Sequence, residues 1–194
     1  MDASTKRLIL WTNTMDTKKL LKLSRQIITN QLDSTESIDT SILNDKTLQH
    51  KQATFVTLKQ NGQLRGCIGS IIPHRSFVDD LVYNSKAAAF EDPRFLPLSK
   101  EELANTQIEI SILTEPKEIV YSNIEDLKTK ITPFEDGVIL KLGSRQATFL
   151  PQVWEEIPEF DIFFSHLGMK AGISNNPLIQ HPQIWIYQVK HFQE

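Results

Sequence analysis

The 194-residue chain has one cysteine, seven glycines and no apolar run approaching the ~20 residues that span a bilayer. The single thiol excludes an intrachain disulfide framework and any metal site built from cysteines alone. A free thiol suits a reducing compartment, and the expected location is the cytoplasm. An excess of one charge is also lacking. Twenty-one basic side chains stand against twenty-four acidic ones, for a net charge of -3. That balance argues against a broad nucleic-acid-binding face. The start has one short apolar stretch, Leu8 to Trp11, and no small-residue cleavage site, so it does not read as a secretory signal. No phosphate-binding loop, dinucleotide glycine fingerprint, Gly-x-Ser-x-Gly elbow or His-x-x-His pair is present. The expectation is therefore no cofactor, no metal, no nucleic-acid partner and no membrane.

Hydrophobic residues make up 40% and charged residues 23%, the balance of one globular domain whose core needs no staples. Residues 1–15 lack periodicity and read as a loose tail, and 191–194 as a short C-terminal tail. The domain is then 16–190. Asp16 or Thr17 caps a first helix in which Leu20, Leu21, Ser24, Ile27, Ile28 and Gln31 share a face. Asp33 to Gln52 is polar and reads as a long loop with one short helical turn. Asn61-Gly62 joins residues 53–60 to 63–71 as a type I′ hairpin. Ser76 caps a helix to about Phe90, which Asp92-Pro93 stops. Thr106 to Thr114 alternates, with Ile108, Ile110 and Ile112 on one side and Glu109, Ser111 and Leu113 on the other. Ser122 with Glu125 resembles a capping box for a helix to about Lys130. A second hairpin crosses Gly143-Ser144. A short helical stretch carries Trp154, then Phe160, Phe163, Phe164 and Leu167 recur at helical spacing before Gly172. Ile184 to Val189 is a last strand. Interleaved elements with hairpins predict an α+β fold with a mixed, mainly antiparallel sheet flanked by helices.

Three of the glycines fall between residues 62 and 69. Gly66 and Gly69 lie in the returning strand and flank Cys67. Glycine weakens a strand and marks a bulge or a close approach by backbone or ligand. A two-residue turn sets Val56 opposite Cys67. It then puts Arg65 and Cys67 on one face, with Leu64 and Ile68 on the other. Two readings of Cys67 stay open. It is a small buried hydrophobe, or a thiol whose pKa Arg65 lowers or beside which Arg65 binds an anion. Glu109 is a carboxylate inside the most strand-like segment and needs a partner, Arg65 or Arg94. It belongs to a structural ion pair or lines a groove. Asp92 and Arg94 fix their own loop or face the same groove. Lys170 favours its helix dipole or points its ammonium into the groove. None of the five histidines has a spacing to Cys67 that identifies a base.

Leu64-Arg65-Gly66-Cys67-Ile68-Gly69 resembles the signature hexapeptide of the AMMECR domain family. Ala88-Ala89-Phe90-Glu91-Asp92-Pro93-Arg94-Phe95 with Pro97-Leu98 resembles its alanine-helix and Asp-Pro-Arg-Phe segment. Ile108 to Leu113 is similar to its central strand. Gly137 to Leu140 and Ala147 to Trp154 are similar to its second hairpin, and Leu167 to Gly172 to its Leu-x-x-Lys-Ala-Gly block. The likeness covers roughly residues 16–190 and is to the version found in the bacterial AmmeMemoRadiSam system. It implies two unequal lobes with a groove lined by the signature segments. It implies as neighbours a Memo-family protein and a radical S-adenosylmethionine protein, and supplies no reaction. Carried onto this chain, Cys67 and Glu109 become candidate catalytic residues. Arg65, Gly66, Gly69, Arg94 and Lys170 become candidate binders of a small anionic substrate. Two expectations follow: an enzyme or enzyme subunit, or a non-catalytic module that presents a groove or substrate to those partners.

Overall fold

Asp16 begins the first helix by accepting a hydrogen bond from the backbone N–H of Lys19, and α1 runs Thr17–Leu32. The computed structural model describes residues 15–34, 37–173 and 175–194. Residues 1–14 of the expected tail lie outside the described residues, as does the apolar stretch Leu8 to Trp11. The chain divides after Glu115. A first unit reaches that residue and takes back Lys190–Glu194, and a second unit is Pro116–Val189.

In the first unit, the polar stretch after α1 holds the short helix α2 (Thr40–Leu43) and a 3-10 turn at Lys46–Leu48. Strand β1 (Thr54–Gln60) meets β2 (Gln63–Gly69) across Asn61 and Gly62. Those two residues have φ of 51° and 77°, the positive pair that a type I′ turn requires. Helix α3 (Phe77–Phe90) is capped by Ser76, which accepts from the N–H of Asp79. A one-turn helix α4 (Lys100–Leu103) follows, closed by a reciprocal capping box between Ser99 and Glu102. Strand β3 (Thr106–Leu113) pairs with β1, giving the antiparallel order β2-β1-β3. The alternation read from the sequence holds on β3. Ile108, Ile110 and Ile112 join Val56 and Leu58 under α1 and α3, with Leu20, Ile28, Phe77 and Leu81.

The last strand departs from expectation. The sequence predicted an end at Val189 and a tail from 191, yet β7 runs Gln183–Gln193. Its end is held in the first unit. The Glu194 N–H donates to the Ile108 carbonyl at 3.2 Å, and the Glu194 carboxylate pairs with Arg25.

The second unit is built on the order β4-β7-β5-β6, all antiparallel. Its strands are β4 (Lys117–Ile119), β5 (Asp136–Leu142), β6 (Arg145–Phe149) and the first part of β7. The three-residue β4 is too short to leave an alternation signal. Helices α5 (Ile124–Lys130), α6 (Val153–Glu156) and α7 (Phe160–Lys170) close this unit's core. Trp154 lies flat on Phe163 with ring centres 3.5 Å apart. The cap of α5 is Asn123, which accepts from the N–H of Asp126. Ser122, the predicted cap, instead donates to Asp126 through its N–H and its hydroxyl. Gly172 ends α7 at φ 69°, as its position predicts. Among the described residues no helix is long and apolar enough to cross a membrane.

Candidate functional site

The register of β1 on β2 slips once, between Leu58 and Lys59. Lys59 faces Leu64 and Leu58 faces Gly66, so Arg65 is an inserted residue with no partner on β1. This bulge corrects the predicted pairing. Cys67 lies opposite Thr57 rather than Val56, and Leu64 no longer stands on the face away from Cys67. Thr57 is in turn opposite Glu109 on β3. Cross-strand partners share a face, so Cys67, Thr57 and Glu109 form one row on the side of the sheet away from α1 and α3.

Gly66 and Gly69 are explained by packing. A Cβ at Gly66 would lie 2.1 Å from the Ala88 carbonyl oxygen, and one at Gly69 would lie 2.1 Å from the Phe55 ring. The close approaches predicted there exist, but α3 and Phe55 occupy the space that was assigned to a substrate. The run of small residues Ala87, Ala88 and Ala89, all buried, lets α3 come that near.

Cys67 is half-buried. The Thr57 hydroxyl donates to its sulfur at 3.3 Å. Its backbone is held from the outer side of β2 by the Asp-Pro-Arg segment. The Cys67 N–H donates to Asp92 Oδ2 at 2.8 Å, and Arg94 Nη2 donates to the Cys67 carbonyl at 3.3 Å. Asp92 and Arg94 are joined by two further bonds, Nε to Oδ1 at 2.9 Å and Nη2 to Oδ2 at 2.7 Å. The Arg94 N–H also donates to Asp92 Oδ1. Asp92 therefore fixes its own loop, as its place beside Pro93 suggests, and grips Cys67 as well. Arg94 beside it holds its carboxyl far below the usual carboxylate range. For the thiol, burial dominates and pushes its pKa up. The Thr57 hydroxyl and Arg94 offset part of that, while Asp92 and Glu109 add to it. The arginine whose charge reaches the sulfur is Arg94, not Arg65, and the thiol is neutral near pH 7.

Arg65 is tied elsewhere. Its Nε and Nη2 reach the two Glu102 oxygens at 2.9 and 3.0 Å, a bidentate pair, and Nη2 also donates to the Leu96 carbonyl. The Phe95 ring lies 5.7 Å from the Arg65 guanidinium and 5.5 Å from that of Arg94. Glu109 has Lys59 as its partner at 2.9 Å, not the predicted Arg65 or Arg94. The reason is geometric: Lys59 is on the adjacent strand and on the same face. Lys170 belongs to the second unit, where its ammonium donates to the Thr148 carbonyl at 3.0 Å and lies over the Phe149 ring.

Sequence reasoning missed Thr57, Lys59 and Glu102 as members of this arrangement. The signal for the first two was the register of β1 on β3, and for Glu102 it was the Ser-x-x-Glu spacing from Ser99. It also missed the buried Asp80. Asp80 accepts from the N–H and hydroxyl of Thr54, from Asn84 and from Ser70, and so pins α3 to the sheet. What the row offers chemically is a neutral, polarizable thiol, a hydroxyl and a carboxylate–ammonium pair, side by side on a rigid sheet.

A family model described as AMMECR1 matches residues 21–192. Protein NEQ441 of Nanoarchaeum equitans is 33% identical over 178 residues, covering 90% of this chain and 98% of its own. Protein MK0488 of Methanopyrus kandleri is 33% identical over 184 residues, covering 90% and 86%. The crystal structure of the uncharacterized protein PH0010 from Pyrococcus horikoshii superposes with a TM-score of 0.79 and 30% identity, over 90% of this chain and 89% of that one.

Proposed function

The chain belongs to the AMMECR1 family, and from that premise we propose that it is a binding module whose Cys67–Thr57–Glu109 row receives a small polar ligand and presents it to partner proteins. The observation that carries this reading is the state of the thiol. Burial raises its pKa, whereas a nucleophilic cysteine requires a thiolate. The two candidate arginines are both engaged by carboxylates, Arg65 by Glu102 and Arg94 by Asp92. The sequence resemblance supplies the partners, a Memo-family protein and a radical S-adenosylmethionine protein, and the mildly acidic charge favours protein over nucleic acid. The test is purification of the native complex, with identification of co-purifying proteins and small molecules. Recovery of those partners with a ligand, both lost in Glu109→Gln, supports the reading. Tight DNA or RNA binding at physiological salt without such partners overturns it.

A second reading makes Cys67 and Glu109 catalytic in an enzyme subunit. Their shared sheet face and the Thr57 hydroxyl on the sulfur favour it. Turnover abolished in Cys67→Ser with ligand binding retained would put this reading first.

A further inference from the structure

Strand β2 ends the sheet order of its unit, so its outer side presents backbone groups that any extended chain can pair with. In an antiparallel ladder the residue of a non-hydrogen-bonded pair turns both its N–H and its C=O away from the neighbouring strand. Cys67 is such a residue: both groups are met from the other side, by Asp92 and Arg94. One carboxylate accepts where a strand carbonyl would, and one guanidinium donates where a strand N–H would. Two side chains thus replace a neighbouring strand at the centre of β2.

Apart from the bulge at Arg65, the strand itself carries few of the usual defences of an edge. Gln63-Leu64-Arg65-Gly66-Cys67-Ile68-Gly69 has no proline and no lysine. Its single charge, Arg65, is tied to Glu102. Leu64 is 43% exposed. The whole chain carries a net charge of only -3, too little to keep two copies apart.

We propose that the Asp92–Arg94 pair is an edge guard, and that what it excludes is β2 of a second copy of this chain. The guard is well anchored. Asp92 has a side chain 3% exposed and accepts from Arg94 and Cys67 together. Without it, two β2 strands related by a two-fold axis at Cys67 exchange their N–H···O bonds and bring the two Cys67 residues opposite one another.

The test compares the intact chain with Asp92→Ala/Arg94→Ala by light scattering over a concentration series. The expected result is at least a tenfold rise in self-association. Treatment with diamide, which takes up the two electrons and two protons that two thiols release, should then give a Cys67-linked dimer in the variant and not in the parent. Adding Leu64→Lys, a charge on the exposed edge, should restore the parental state. Should the double variant not fold, Arg94→Gln keeps the Asp92 bond to the Cys67 N–H and opens only the carbonyl, so a smaller rise is expected, again reversed by Leu64→Lys. A variant with native circular dichroism whose association matches the parent, or whose association Leu64→Lys leaves unchanged, overturns the proposal.

Discussion

At Cys67 the local environment decides the chemistry. Burial raises the thiol pKa more than the Thr57 hydroxyl and Arg94 lower it. Alkylation of the folded protein should therefore accelerate with a midpoint above the ~8.5 of a free cysteine. A stopped-flow pH series checks this, and a midpoint below that value would revive the nucleophile. The same shift acts on stability. A pKa raised on folding adds stability that is fully present below the unfolded value and is lost as pH rises through the folded one. Stability should fall above about pH 8.5, and Cys67→Ala should remove that part of the alkaline slope. One residue earlier the constraint is steric. Gly66→Ala would set a methyl group 2.1 Å from a helix carbonyl oxygen. Backbone must move to admit it, so the expected loss is at least about 2 kcal/mol, measured by urea unfolding.

At the scale of elements, the loop after α3 and the strand β2 act as one piece through Asp92. Its carboxylate pKa is depressed by Arg94 and by the N–H groups of Cys67 and Arg94. A depressed pKa gives stability that is present above the unfolded value of ~3.9 and is lost as pH falls toward the folded one. Asp92→Asn should destabilise the chain at pH 7 and flatten the stability profile below pH 4, which acid titrations followed by circular dichroism will show. This coupling also explains what was legible in the sequence. The hairpin at Asn61-Gly62, the alternation of β3 and the caps at Asp16 and Ser76 rest on neighbours a few residues apart, and pattern alone specifies them. The common face of Cys67 and Glu109 comes from the register of both strands on Thr57. Gly66 marked a bulge or a close approach, but that the inserted residue is Arg65 was not legible, because it needs the register of β1 on β2. The Lys59–Glu109 pair was hidden for a related reason: it needs the register of two strands 50 positions apart. The predicted C-terminal tail failed likewise, since residue 194 is held by Arg25 and Ile108, far away in sequence.

At the scale of the molecule, one strand serves two cores. Residues 183–188 of β7 pair with β5 in the second unit, while residues 190–194 belong to the first, where Glu194 bonds to Ile108. Melting either core removes a hydrogen-bonded segment from the other, so the two should unfold in one cooperative step. The chain carries separate reporters for each. Trp154 is fully buried in the second unit, stacked on Phe163, and Trp185 lies on β7 in the same unit. Cys67 is the only thiol and sits in the first unit. Thermal unfolding followed by tryptophan fluorescence, with Trp11 replaced by phenylalanine so that only the second unit reports, should have the same midpoint as unfolding followed by pulsed labelling of Cys67. Arg25→Ala removes the hold on Glu194 and the bonds to the Leu103 and Thr106 carbonyls, all within the first unit, yet it should lower both midpoints together. Midpoints that separate, with the fluorescence transition unmoved by Arg25→Ala, would mean that the shared strand does not couple the two cores.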